Sequence, residues 1–171
     1  VLSSGLHSPK YIQCAQLMSK PDKASQICIS LSKKIQDDLD DFDIILSPAM
    51  GGVVVGYEIG RILKKETIFA ERVNGKFTLR RDFSIKKNQK ILIIEDVITT
   101  GKSSLECSQL VAENKASIVG FACIIDRSNG RSLIKEKIVS QVKLNIPTYK
   151  ENNLPKNLTL IKPIKPGSRN L

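Results

Sequence analysis

Lys90-Ile91-Leu92-Ile93-Ile94-Glu95-Asp96-Val97-Ile98-Thr99-Thr100-Gly101-Lys102-Ser103 divides into two halves of opposite character. Its beginning, Lys90 to Ile94, is an apolar run without polar alternation, the pattern of a central parallel strand covered on both faces. Two adjacent acids, Glu95 and Asp96, come next, and then a turn rich in hydroxyls, Thr99 to Ser103, at the start of a helix. A phosphate loop of the G-x-x-x-x-G-K-[ST] kind would need glycine at position 96, where Asp stands. Nor does Met50 to Gly56, "MGGVVVG", satisfy G-x-G-x-x-G, because Val53 stands where the second glycine must let a pyrophosphate approach.

Outward from this stretch the same rhythm repeats. After Pro21, the positions Ala24, Ile27, Cys28, Leu31, Ile35 and Leu39 recur at helical spacing, with Ser19 or Asp22 as candidate caps. Ile44 to Leu46, closed by Ser47-Pro48, reads as a buried strand, and a helix is expected from about Gly52 to Lys65. Thr67 to Glu71 and Lys76 to Arg81 flank Asn74-Gly75, the preferred two-residue hairpin turn. A helix from Ser103 to about Asn114 and a buried strand from Ile118 to Ile125 come next, with a further strand over Val139 to Leu144. From Asn152 onward prolines mark an irregular or edge-lying tail. The order predicts an α/β class with a central, mostly parallel sheet flanked by helices, and ligands at the carboxyl ends of the strands.

The chain has 171 residues with 41% apolar content, enough for one domain over residues 1–171. No apolar run approaches the ~20 residues of a membrane helix, and the start lacks a signal-peptide pattern, so a soluble protein is expected. Cys14, Cys28, Cys107 and Cys123 form no C-x-x-C pair and His7 is the single histidine, which argues against zinc, a disulfide framework and a triad hydrolase. Reduced thiols in a cytoplasm fit best. The net charge of +10 favours anionic partners, but the lysines come in scattered pairs and aromatics are only 5%, which makes nucleic acid an unlikely partner.

Carboxylates beside a phosphate would repel it, so the two halves of the opening stretch must face different parts of one ligand. Backbone N–H groups of the turn, with the positive end of a helix dipole, hold an anion. Glu95 and Asp96 then accept from vicinal hydroxyls or face a developing cation. A ribose 5-phosphate unit satisfies both demands.

Ile91 to Ser103, "ILIIEDVITTGKS", resembles the thirteen-residue signature of the phosphoribosyltransferases that use phosphoribosyl pyrophosphate. The resemblance runs over most of the chain and narrows to the orotate phosphoribosyltransferase family: "LSSGLHSPKY" (Leu2 to Tyr11) is similar to its N-terminal substrate segment. "SPAMGGVVVG" (Ser47 to Gly56) is similar to its pyrophosphate-side loop, and "IIDRSNG" (Ile124 to Gly130) to the segment after its last core strand. The resemblance implies a type I phosphoribosyltransferase fold with a small N-terminal substrate-side hood. It implies transfer of the 5-phosphoribosyl group from phosphoribosyl pyrophosphate to orotate, in pyrimidine biosynthesis, with Mg²⁺ as cofactor and a cytoplasmic homodimer.

By the same resemblance Glu95 and Asp96 are the catalytic acids, and residues Glu95, Asp96, Val97, Ile98, Thr99, Thr100, Gly101, Lys102 and Ser103 hold the donor. Thr99 and Arg127 meet orotate, whose carboxylate suits a planar guanidinium fork. Ser8 and His7 are weaker candidates. No side chain is expected to ligate a resident metal. Two departures stand out: Ser3 where many members carry lysine, and the compact Glu71 to Phe83, "ERVNGKFTLRRDF", where many carry a long mobile loop ending in His-Gly. This makes Arg72 and Lys76, then Arg80 and Arg81, the candidate cations for the leaving pyrophosphate in a short-loop subgroup. The competing readings are a purine or other-base phosphoribosyltransferase, which would want an aromatic stacking partner, and a non-catalytic regulator that binds nucleic acid through its +10 surface.

Overall fold

The computed structural model describes residues 1–2 and 5–166, so Ser3, and with it one of the two departures, lies outside the described residues. Chain contacts group the structure into two compact units: Cys14–Leu144, and a second made of Val1–Gln13 with the chain from Asn145 onward.

The larger unit is built on a six-stranded sheet of order β3-β2-β1-β4-β5-β6. Its strands are β1 (Ile44–Pro48), β2 (Glu66–Val73), β3 (Lys76–Leu79), β4 (Lys90–Ile98), β5 (Ser117–Asp126) and β6 (Ile138–Lys143). All neighbours run parallel except β2 and β3. Helices α1 (Cys14–Met18), α2 (Pro21–Asp38) and α3 (Gly51–Leu63) pack together on one side, whereas α4 (Lys102–Glu113) packs on β1, β3, β4 and β5. The expected α/β architecture with a mostly parallel sheet is the one observed. Ile91, Leu92, Ile93 and Ile94 are fully buried, each contributing about 1.5–3 kcal/mol by burial, which is why this stretch becomes the central strand.

Three boundaries depart from the sequence reading. β1 runs through Ser47 and Pro48, because pairing with β2 continues as Ser47↔Phe69 and Pro48↔Ala70, and a proline can end a strand where its missing N–H is not required. β4 extends beyond the apolar run to Ile98, which places both acids inside the strand. At the start of α2 neither Ser19 nor Asp22 caps the helix: Lys20 is the N-cap, Pro21 fills the first helical position, and the Ser19 hydroxyl donates to the Gln16 carbonyl. The Asn74-Gly75 turn does close the β2–β3 hairpin, with φ of 47° and 82° between the paired Val73 and Lys76.

The close seating of α3 on the sheet follows from glycines four residues apart. A Cβ on Gly52 would lie 2.8 Å from the Ile94 carbonyl, one on Gly56 2.1 Å from Ser47 Oγ, and one on Gly60 2.1 Å from Thr67 Oγ1. The helix therefore lies close on β1, β2 and β4, and a larger residue at any of the three positions would force its neighbours to shift.

In the smaller unit the two ends of the chain pair with each other. His7 and Tyr149 exchange backbone hydrogen bonds of 2.9 Å in both directions, and the Ser8 hydroxyl donates to the carbonyls of Lys10 and Pro147. The expected N-terminal segment is thus half of a unit whose other half is the tail, which carries a 3-10 turn (Glu151–Asn153) and the short α5 (Lys156–Thr159).

Overpacking of this kind costs about 1–3 kcal/mol. Gly56→Ala is accordingly expected to lower Tm by several degrees, and calorimetric unfolding checks it, with exposed Ala112→Gly on α4 as a contrast expected to cost about 1 kcal/mol or less.

Candidate active site

Alternation along β4 sends its two acids to opposite faces of the sheet. Ile91 and Ile93 belong to the core beneath α4 with Cys107 and Val111, and Glu95 follows them: its Oε1 accepts a hydrogen bond of 3.3 Å from Ser104 Oγ, in the first turn of α4. Asp96 faces the start of α3. A Cβ on Gly51 would lie 2.6–2.7 Å from its carboxylate atoms, so a larger residue there would require the Asp96 carboxylate to move. Asp96 Oδ1 also accepts the Val97 N–H at 2.9 Å. Burial pushes the Asp96 carboxyl above the usual carboxylate range, and the Val97 N–H offsets part of that rise.

Between β4 and α4 the chain makes a tight turn. Gly101 is the N-cap of α4 at φ 78°, a left-handed conformation that favours glycine, and its carbonyl accepts the first helical bond, from Leu105 N–H at 2.9 Å. The first amides of the helix have no acceptor inside it and carry the positive end of its dipole, which is an anion site by construction. Lys102 is exposed beside them, and Thr99, Thr100 and Ser103 are half-buried.

This turn is braced by the loop after β5. Arg127 N–H donates to the Ile98 carbonyl and Leu133 N–H to the Thr100 carbonyl, both at 2.9 Å. Ile134 and Ser132 side-chain atoms lie 2.8 Å from where a Cβ on Gly101 would be. Arg127 is buried at 4% exposure between Asp126 and Ser128, and these three make up half of the six buried polar residues described, so the position is not the surface arginine that its place after a strand could have meant. Asp126 Oδ1 fixes this bend by accepting the Ser128 N–H at 2.8 Å.

The hairpin cations divide into two groups. Arg72 is engaged by Glu106 of α4 and by the Gly75 carbonyl, and its guanidinium lies 4.2 Å from the centre of the Phe77 ring. Arg81 pairs with Glu71 at 3.1 Å and lies over Phe69. Lys76 and Arg80 are exposed and form no ion pair among the described residues. The structure thus brings Glu95, Asp96 and residues 97–103 together with the Arg127 backbone, while His7 and Ser8 belong to the unit of the termini.

Sequence reasoning missed Gly51, Ser104 and the bracing residues Ser132 to Ile134. The pair Gly51-Gly52 was the available signal for a close approach, whereas Ser104 is hidden beside Ser103 in what reads as a polar helix start.

All four cysteines are buried and unbridged. Burial pushes Cys14 up to about 12 and Cys28 up to about 11, and raises Cys107 and Cys123 as well, so none supplies a thiolate near neutral pH. Among the described residues no three His, Cys, Asp or Glu side chains converge on a possible metal position. Nor is any described helix long and apolar enough to cross a membrane.

The model of the phosphoribosyl transferase domain matches residues 18–156. The curated orotate phosphoribosyltransferase of Parvibaculum lavamentivorans is 40% identical over 172 aligned positions, spanning the whole of this chain and 89% of that relative. The chain belongs to the phosphoribosyltransferase family. Among solved structures, orotate phosphoribosyltransferase from Aeropyrum pernix superposes with a TM-score of 0.70 at 22% identity, covering 84% of each chain. Adenine phosphoribosyltransferase from Thermoanaerobacter pseudethanolicus does so with a TM-score of 0.68 at 14% identity, covering 82% of this chain and 96% of that one. These likenesses establish the type I phosphoribosyltransferase fold and, since the two enzymes act on different bases, leave the base to be read from the site.

Because burial gives the transferase's Asp96 a higher proton affinity folded than unfolded, stability falls as pH rises through its titration range, and the ionised carboxylate is a net cost at neutral pH. Asp96→Asn keeps an acceptor for the Val97 N–H. It is expected to raise Tm at neutral pH, with the gain shrinking as pH is lowered through the carboxylate range, a trend that thermal unfolding across pH reads directly.

Proposed function

We propose that this transferase moves the 5-phosphoribosyl group of phosphoribosyl pyrophosphate to orotate, giving orotidine 5-monophosphate and pyrophosphate in de novo pyrimidine biosynthesis. The observation that carries the reading is the join of β4 to α4, where two carboxylates and an anion-binding turn stand within one short stretch of backbone. The full-length similarity to a protein named for this activity agrees with it.

In this reading the 5-phosphate takes the amides of residues 99–103 and the ribose diol lies across the end of β4. Glu95 and Asp96 are reached from the two sides of the strand. Thr99 lies beside the pyrimidine and Arg127 receives the orotate carboxylate. The orotate ring nitrogen attacks the anomeric carbon as the bond to pyrophosphate breaks, the electron pair leaves with pyrophosphate, and the proton of the ring nitrogen passes to the departing pyrophosphate or to water. With four protonated thiols and no side-chain nucleophile required, catalysis consists of positioning and of negative charge placed beside the developing ribosyl cation.

Lys76 and Arg80 are the hairpin cations with charge to spare for the departing pyrophosphate; Arg72 and Arg81 reach it only by exchanging their present carboxylate partners. Magnesium fits as an ion carried by the substrate. It keeps waters and phosphate oxygens as ligands, and the two acids of β4 point to opposite faces of the sheet, which leaves Asp96 as the carboxylate that would meet its hydration shell. When bound, the ion would neutralise charge on the pyrophosphate.

A homodimer and a cytoplasmic setting complete the proposal. Met50, Val54 and Tyr57 share one face at the start of α3 and are 79%, 51% and 64% exposed, an apolar strip suited to a second copy of the chain. Tyr57→Arg is expected to shift the protein from dimer to monomer in sedimentation velocity.

Orotate absorbance followed with phosphoribosyl pyrophosphate and Mg²⁺ tests the activity. Turnover with orotate, and a loss of about a hundredfold or more in Asp96→Asn, are expected where charge stabilisation dominates. Turnover with adenine or hypoxanthine instead would make the protein a purine phosphoribosyltransferase. Salt-sensitive nucleic-acid binding without turnover on any base would make it a regulator.

A further inference from the structure

In the turn after β4 the main-chain carbonyls are engaged and the amides are not. The Ile98 carbonyl accepts Arg127 N–H, the Thr100 carbonyl accepts Leu133 N–H and the Gly101 carbonyl accepts Leu105 N–H, each at 2.9 Å. The N–H groups of Thr99, Thr100 and Gly101 meet no acceptor among the described residues. Consecutive amides left over in this way make a nest for an anion. Two of the three carbonyl bonds come with regular structure: Arg127 N–H continues the β4–β5 pairing past Ile98↔Asp126, and Leu105 N–H opens α4. The bond from Leu133 is the one that neither a strand nor a helix requires.

What it fixes is the Thr100–Gly101 peptide. Gly101 stands at φ 78°, and glycine takes negative φ about as readily, so nothing in the residue itself stops this peptide from turning over. Turned over, it would present the Thr100 carbonyl to the anion in place of Gly101 N–H. The loop that supplies Leu133 is itself held, because Arg131 N–H donates to the Ser128 carbonyl at 3.0 Å and Ile134 N–H to Ser132 Oγ at 3.1 Å. The Leu133 side chain is 64% exposed and adds little packing. We infer that the Leu133 main-chain amide is a positioning group that latches the Thr100–Gly101 peptide with Gly101 N–H turned toward the 5-phosphate, a role resting on the proposed reading of the site. An unlatched peptide binds less tightly in proportion to the fraction of molecules that hold the competent orientation.

The test replaces the Leu133 amide by an ester, through nonsense suppression with the α-hydroxy acid analogue of leucine. The side chain stays, and an oxygen faces the Thr100 carbonyl where the N–H stood. Leu133→Pro, which also lacks the donor, is the second variant. Ribose 5-phosphate binding is measured by calorimetry, with Tm recorded and the three-bond amide-to-Hα couplings of Gly101 followed by NMR in isotope-labelled protein. A lost hydrogen bond together with an unmet carbonyl predicts that the ester weakens ribose 5-phosphate about tenfold. In the ligand-free ester the Gly101 couplings are expected to leave their wild-type values and to return to them at saturation, a response that a merely structural brace would not give. Affinity within about twofold of wild type in both variants would overturn the inference. So would Gly101 couplings in the ligand-free ester that match wild type, or a wild type that does not bind ribose 5-phosphate. Absence of orotate turnover in a wild type that does bind it would sink the reaction proposed above and leave the latch in place.

Discussion

The Asp96 carboxylate occupies the space that any side chain at position 51 would need. With glycine at position 51 the carboxylate keeps this place between the end of β4 and the start of α3, where any larger residue would displace it. Gly52 brings the same helix start onto the Ile94 carbonyl, one residue before the acids. The first turn of α3 is therefore set against β4 by backbone contact, where a packed side chain would hold it several ångströms away. Two helices then begin beside the carboxyl end of one buried strand, α3 on one face and α4 on the other, and each takes one acid.

This division changes how the pair of acids works. Neighbouring carboxylates on one face would raise each other's proton affinity and compete for the same hydroxyl. Set on opposite faces of β4, they keep separate environments: Glu95 meets a hydroxyl donor at the positive end of a helix, and Asp96 meets desolvation with one backbone N–H. The second acid is held at a cost in stability, which is expected where charge is wanted for chemistry rather than for folding. An acid whose charge is poorly solvated gains most when a cationic centre develops nearby.

Much of this was legible in the sequence because it is local. The run Ile91 to Ile94 reads as a strand covered on both faces, Asn74-Gly75 as a hairpin turn, and a glycine before a helix after two acids as a strand that passes through a tight turn into a helix. What escaped is what depends on contacts far along the chain. Nothing near Ser104 tells that β4 passes beneath it, and nothing near Leu133 tells that its amide closes on Thr100. Arg72 shows the same limit in the other direction. Its place in a basic hairpin suggested a free cation for pyrophosphate, yet the fold sets Glu106 of α4 and the Phe77 ring against it.

The Arg72–Glu106 pair has a structural consequence of its own. Both side chains are about one quarter exposed, so the ion pair is only partly screened, and the guanidinium also holds the Gly75 carbonyl at the hairpin tip. The hairpin is thereby fastened to α4, the helix that begins at the anion turn. A tethered hairpin has little freedom to travel, so the side chains it carries keep fixed places relative to α4. Fastening the tip to α4 with Arg72 leaves Lys76, at the first position of β3, on a rigid support. One arginine committed to geometry thus gives a neighbouring lysine a fixed place.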